Sequence, residues 1–431
     1  MSQIASGADD AASGATLAIG RFRWAIVALL FAATAINYID RQIIGVLKPT
    51  LQHEFAWTET DYANIVFWFQ AAYAFGYIGF GRIVDKVGAR IGYAAAVSIW
   101  TVAHVAHALV HTLAGFTFVR IGLGLGESGN FPGGVKAVTE WFPKRERALA
   151  IGLFNAGSNV GAIITPLIVP AITLAFGWRM AFIVTGCFTL VWLVVWLAVY
   201  RRPRQHSRVG VAELALIESD PPDSVEPVSV ISVLKRRQTW MYAGAKFLID
   251  PIWWMFLFWL PDFFAKRYHL DLKSFGPPLV AVYVLSDVGS VVGGWLSSTL
   301  MKRGLSVNVS RKTAMLIFAL LALPVAFASQ ADNLWLAVGI VGLATAAHQG
   351  FSANVYTLPS DLFPRKAVGT VIGIGGAAGG IGGMLMAKYA GWVLDKIGSY
   401  TPIFALAACA YLLALAFIHL MSPRLAPVAV D

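Results

Sequence analysis

Residues 24–46 read WAIVALLFAATAINYIDRQIIGV, an apolar run with Asn37, Tyr38, Asp40 and Arg41 lodged inside it. Its length suits a bilayer crossing. A charged side chain at membrane depth costs about 2.5 kcal/mol or more, so it persists where it lines a water-filled path or meets a partner. A second charged set, Arg120 and Glu127, lies in another apolar segment, seven residues apart. Two acids and two arginines directed at one cavity would suit a chain that moves an anion and a proton together.

Composition agrees with a membrane reading. Apolar residues make up 58% of the chain and charged residues 13%, with mean hydropathy +0.67. A soluble domain carries about twice that charge. Apolar runs of crossing length recur near 22–46, 60–81, 91–111, 114–138, 147–174, 179–200, 239–264, 278–300, 312–329, 334–358, 367–391 and 400–421. They are continuously apolar rather than alternating, which excludes a β-barrel. The expectation is an all-α polytopic membrane protein with twelve transmembrane helices. Cys187 and Cys409 both fall inside these runs, so free buried thiols are expected and no disulfide framework.

The formal charge of +10 does not point to nucleic acid. With both ends in the cytoplasm, inside loops hold Arg82/Lys86/Arg90, Lys144/Arg145/Arg147, Arg201/Arg202/Arg204/Arg208, Lys302/Arg303 and Arg365/Lys366. Outside loops hold only scattered bases, Lys48, Arg179, Lys266, Arg267, Lys273 and Lys396. That asymmetry is the positive-inside signature and predicts cytoplasmic N- and C-termini. Residues 1–20 contain no signal-peptide apolar core. The absence of organelle-targeting features favours a plasma or bacterial inner membrane.

Residues 201–238 form the longest polar stretch and include SDPPDSVEP at 219–227. They read as a cytoplasmic linker with short helices, dividing a six-helix half at 22–200 from a second at 239–421. Tails of 1–21 and 422–431 flank them. The halves repeat one another: TEWFPKRERALAIG at 139–152 aligns without gaps to SDLFPRKAVGTVIG at 360–373. Parallel repeats about an axis along the membrane normal are a transporter architecture, with the site at midplane between the halves.

The loop after the second run reads GRIVDKVGAR at 81–90. Gly81 permits close helix approach, Asp85 can cap a helix or pair with a base across the half-interface, and Gly88 turns the chain. Gly81, Asp85, Gly88 and Arg90 match the G-x-x-x-D-x-x-G-x-R loop motif, and on them the chain resembles the major facilitator superfamily. Tyr38 with Arg41, Arg120 with Glu127, FNAGSNVGA at 154–162 and AHQGFSAN at 347–354 resemble its anion:cation symporter family, the hexuronate group above all. The resemblance covers the chain apart from its tails and linker.

Arg41 offers a planar fork suited to a carboxylate and stays charged. Asn37 and Tyr38, one turn earlier, share its face and suit substrate hydroxyls, while Asp40 points about 100° away. Arg120 and Glu127 are nearly in register on one face. A conformational change that alters an arginine contact can switch a carboxyl's proton affinity, and a static Arg120–Glu127 pair is the alternative. The resemblance implies Asp40 and Glu127 as protonation sites, with Arg120 beside them, and Arg41 and Tyr73 as substrate-facing. Gln70, Tyr73 and Tyr77 make a polar stripe, and Ser158 and Asn159 a small cluster. In the second half Trp254, Gln349 and Ser352 are the candidates, Trp253 and Trp259 read equally as interfacial, and Lys246 with Asp250 reads as an ion pair.

The motifs hold no metal-ligand spacing, phosphate loop or nucleophile triad, so an enzyme is not expected, nor a cofactor. The expected function is proton-coupled import of a sugar acid, most of all a hexuronate such as glucuronate or galacturonate. A carrier for galactonate, glucarate or a similar anion, or an exchanger without proton coupling, are the alternatives. Expected partners are the small anion, protons and the lipid bilayer, not nucleic acid, with the carrier a monomer.

Overall fold

A computed structural model describes residues 20–220 and 229–428, so the two extreme tails and most of the Pro- and acid-rich linker core lie outside the described residues. The helices are α1 (Phe22–Phe55), α2 (Glu59–Ala106), α3 (Leu113–Glu127), α4 (Asn130–Trp141), α5 (Lys144–Phe176), α6 (Trp178–Val199), α7 (Val211–Ile217), α8 (Val230–Leu234), α9 (Arg237–Tyr268), α10 (Gly276–Lys302), α11 (Val307–Ala322), α12 (Leu334–Leu362), α13 (Arg365–Lys396) and α14 (Thr401–Met421). A 3₁₀ segment, Leu323–Gln330, prolongs α11. Nine described helices are long and apolar enough to cross a membrane. Twelve crossings follow if α2 counts as two and α3 with α4 as one interrupted rod.

Helix α2 starts on a capping box, in which the Thr58 hydroxyl accepts from the Asp61 amide while the Asp61 carboxylate accepts from the Thr58 amide. It breaks at Gly88, whose φ of 82° only glycine takes without strain. The chain doubles back there. Phe80 and Ala96 would stand about 24 Å apart on a straight helix, yet both lie against Gly129. Ser128 and Gly129, both in right-handed backbone, separate α3 from α4.

The sequence repeat is a structural one. Phe142 and Phe363 end α4 and α12 in extended backbone, and each amide donates to a carbonyl four residues back, Val138 and Pro359, at 2.9 Å. Pro143 and Pro364 then start α5 and α13 with φ of −64° and −61°. Proline suits both junctions because a helix's first amides need no internal partner.

Helices α1–α6 pack into one bundle and α9–α14 into another, meeting along α1–α9, α2–α13 and α5–α10. Small residues set the closest approaches. Gly157 and Gly161 of α5 lie against the carbonyls of Phe31 and Ala35 on α1, where a Cβ would come within 2.3 Å of each. At Gly126 a Cβ would stand 2.3 Å from the Trp100 amide nitrogen. Gly126→Ala is therefore expected to cost about 1–3 kcal/mol by overpacking, read as lower thermostability in detergent. Gly81→Ala is the control.

Three expectations are corrected. Gly81 makes no close approach, since a methyl there meets nothing within 4 Å. Asp85 is exposed and, among the described residues, sits 3.6 Å from Lys136 of its own bundle rather than beside a base across the interface. Cys187 and Cys409 are free but face outward, because their helices turn that side away from the bundle. Gly88 does turn the chain, and Arg90 donates to the Leu197 carbonyl at 2.7 Å, tying α2 to α6.

Candidate functional site

Arg41 is a hub between the bundles. Its Nε donates to Glu127 Oε2 at 2.8 Å and its Nη2 to Asn37 Oδ1 at 3.0 Å. The guanidinium carbon lies 4.9 Å from the ring centres of Tyr38 and Tyr73, 5.1 Å from Trp254 and 5.8 Å from Phe69. Each such contact contributes about 0.5–2 kcal/mol, most when desolvated. Trp254 comes from α9, so one residue of the second bundle closes the cage. Glu127 Oε1 is buried without a hydrogen-bond partner.

The seven-residue register of Arg120 and Glu127 does not make them a pair. Arg120 Nη2 donates to the Arg41 carbonyl at 3.0 Å and stacks over Phe69 at 5.2 Å, leaving Nε and Nη1 unpartnered. The Arg41 side chain reaches from α1 to Glu127 of α3, while Arg120 meets the α1 backbone. Asp40 does not share the Arg41 cavity either. Its Oδ2 accepts from Trp100 Nε1 at 2.8 Å and Thr189 Oγ1 at 2.9 Å, inside the first bundle. The 100° step along α1 turns it toward α2 and α6.

The other candidates are more dispersed. Ser158 donates to the Asn155 carbonyl at 2.7 Å, within α5, and half-buried Asn159 lies next to it. Ser352 is buried and Gln349 half-buried on α12. Gln70 is buried with both amide atoms unpartnered, and lies against Gly383 and Trp254 of the other bundle. Tyr77 stacks between Tyr73 and Phe131. Trp253 stacks on His348, which also meets the Tyr411 hydroxyl at 3.1 Å, and Trp259 packs on Tyr62. Lys246 and Asp250 do pair, at 2.8 Å, with the ammonium 3.8 Å over the Tyr356 ring.

Among the described residues, the ion pairs that join the bundles gather at the end remote from the termini. Lys48, fully buried and about 10 Å along α1 from Arg41, reaches Glu59 at 2.6 Å and Asp262 of α9 at 2.7 Å. Lys266 bonds to Glu59 and lies 3.1 Å from Asp262, which also accepts from Tyr400. Asp395, ending α13, accepts from the Glu59 and Thr60 amides at 3.0 and 2.8 Å. Tyr62 donates to the Phe258 carbonyl at 2.9 Å.

In sequence, Lys48 and Lys266 looked like scattered loop bases, whereas folding buries Lys48 and binds both into this latch. Its signal was present, because Lys48 falls two residues past the apolar run and Asp262 just inside another. His104 and His107 went unremarked as well, although H-x-x-H-x-x-x-H at 104–111 is helical spacing beside Trp100.

Two helical bundles enclosing a caged arginine, with a charged latch beyond it, define a polytopic membrane carrier rather than an enzyme. Residues 30–387 match the Major Facilitator Superfamily profile, and the chain belongs to that superfamily. A hexuronate transporter of Escherichia coli K12 is 32% identical over 393 residues, 90% of either chain. A galacturonate transporter of Dickeya chrysanthemi is 31% identical over 69% of this chain and 88% of its own. A D-galactonate transporter of Escherichia coli O6:H1 is 28% identical over 93% and 96%. The fold is similar to a bacterial homologue of the human lysosomal transporter Spinster, crystallised inward-facing and occupied. The TM-score is 0.74 at 17% identity, covering 93% of this chain and 97% of that one.

Proposed function

We propose that the chain is a proton-coupled symporter that imports a sugar acid, a hexuronate of the glucuronate or galacturonate type, across a bacterial inner membrane. The observation that carries this is the 2.8 Å bond between Arg41 and Glu127. An anionic substrate and the Glu127 carboxylate compete for one guanidinium. Protonating Glu127 removes its charge and frees the Arg41 fork for the substrate carboxylate, so binding of anion and proton reinforce each other. Asn37, Tyr38, Tyr73 and Trp254 surround the fork with hydrogen-bonding groups and flat apolar faces suited to a sugar ring. The curated relatives support the substrate class, since their names specify hexuronate, galacturonate and galactonate.

The test is uptake of labelled sugar acids into proteoliposomes with and without an imposed pH gradient. Glu127→Gln mimics the protonated state. It is expected to bind substrate and exchange it across the membrane, yet fail to accumulate it against a gradient. A folded Glu127→Gln protein that concentrates substrate like the wild type removes Glu127 from coupling.

The reading also places both termini in the cytoplasm, which the loop charges favour. Ser219→Cys, on the exposed linker, is expected to react with an impermeant thiol reagent only after the membrane is opened. Labelling in intact cells would reverse the orientation.

A further inference from the structure

His104, His107 and His111 descend alongside α6 from buried Asp40 to the protein surface. His104 Nε2 lies 3.2 Å from Asp40 Oδ1 and 2.7 Å from Thr185 Oγ1. The His107 ring stacks parallel on Phe182 at 4.9 Å, with its centre 6.1 Å from that of His104. His111, exposed, meets Arg179 at 3.1 Å beside the Arg179–Glu54 pair. The α6 partners Thr189, Thr185, Phe182 and Arg179 lie along ten residue steps, about 15 Å of helix. That distance leads out of the membrane at the end remote from the termini.

Hydrogen bonding assigns the tautomers. The Thr185 hydroxyl donates to the Ala181 carbonyl at 2.8 Å, so it accepts from His104 Nε2–H. His107 Nδ1 faces the carbonyls of Ala103 and His104 at 2.9 and 3.2 Å, so it carries hydrogen. His104 Nδ1 and His107 Nε2 are left as lone-pair nitrogens, buried and without partners. A buried polar atom left unpaired costs free energy, and such groups in a native fold call for a function.

We propose that His104 and His107 relay protons between Asp40 and the surface at His111, by a route separate from the Arg41 cavity. The proposal rests on the proton-coupled reading above. A proton arriving from the surface adds to His107 Nε2 and then crosses to His104 Nδ1. The gap lies between two rings whose centres stand 6.1 Å apart and whose facing nitrogens are not in hydrogen-bond contact. His104 then releases its Nε2 proton to Asp40, leaving a neutral imidazole and a neutral carboxyl. The charged and polar groups around the column are Asp40 from α1, Arg120 from α3, Trp100 from α2, and Thr185 and Thr189 from α6. Glu127 acts on Asp40 and Arg120 from α3. Arg120 is a fixed cation acting on both rings.

The route is separable from the substrate site, and the test uses that. Reconstituted wild type, His104→Gln and His107→Gln are compared in pH-gradient-driven accumulation of a labelled hexuronate, with counterflow measured in parallel. Counterflow needs no net proton movement and reports that the fold and the substrate site are intact. The His107 variant leaves the Asp40 contacts in place. Both variants are expected to keep counterflow while driven accumulation slows by about a hundredfold or more, the low end of what a positioned proton carrier contributes. His107→Ala is expected to regain part of the rate with added imidazole. Driven accumulation at the wild-type rate in a counterflow-competent His107→Gln protein overturns the relay alone. Joint loss of counterflow and accumulation, with no imidazole rescue of His107→Ala, also overturns it by marking the ring as structural. A wild-type protein that ignores the pH gradient overturns proton coupling and the relay with it.

Discussion

Arg41→Lys is expected to weaken sugar-acid binding by about a hundredfold, or about 2.7 kcal/mol, although the positive charge is kept. The structure gives the reason. Arg41 reaches Glu127 and Asn37 from two different nitrogens and lies among four aromatic rings. An ammonium is a point donor without a planar face, so it loses both the fork and most of the stacking. Binding to purified protein by calorimetry, with monodispersity as the fold check, measures the effect. Wild-type affinity in a folded lysine variant would remove Arg41 from the anion site.

Lys48→Met is expected to open the end remote from the termini. It leaves Asp262 and Glu59 with only the half-exposed Lys266 as a shared cation, so the cost is about 3 kcal/mol, the low end for breaking one side of a buried pair. All of that cost falls on the closed arrangement, because water can solvate the two acids once the bundles part. A bias of that size shifts a two-state equilibrium by more than about a hundredfold. Spin labels at His53→Cys and Lys396→Cys, both exposed beside the latch, with Cys187 and Cys409 replaced by serine, read the separation. A longer distance distribution is expected in Lys48→Met. An unchanged distribution would mean that the remaining contacts between the bundles, Asp395 with the Glu59 and Thr60 amides and Lys266 with Glu59 among them, hold the end closed without Lys48.

Several features were legible without coordinates because they depend on local chemistry. Continuous apolar runs dictate helices wherever lipid offers the backbone no hydrogen bonds. The Phe-Pro junctions at 142–143 and 363–364 start new helices for reasons confined to a few residues, and Gly88 turns the chain through its own φ. Lys246 and Asp250 pair because they are one helical turn apart. The importance of Arg41 was visible from its cost at membrane depth.

Pairing between helices was not legible. Position along α3 aligned Glu127 with Arg120, but the tertiary packing set it against Arg41. Asp40 and Arg41 are adjacent in sequence, yet a 100° step sends one into the first bundle and the other between the bundles. Lys48, Glu59, Asp262 and Lys266 come from three helices, and His104 meets Asp40 across 64 positions. By itself, then, the sequence determined a polytopic helical carrier with a built-in repeat and a buried arginine, since lipid solvation and backbone geometry act residue by residue. Only the tertiary structure decided which acid holds that arginine, which charges latch the bundles, and where the histidines lead. Those are contacts between distant segments, and a buried charge shows its need for a partner without showing which partner it will find.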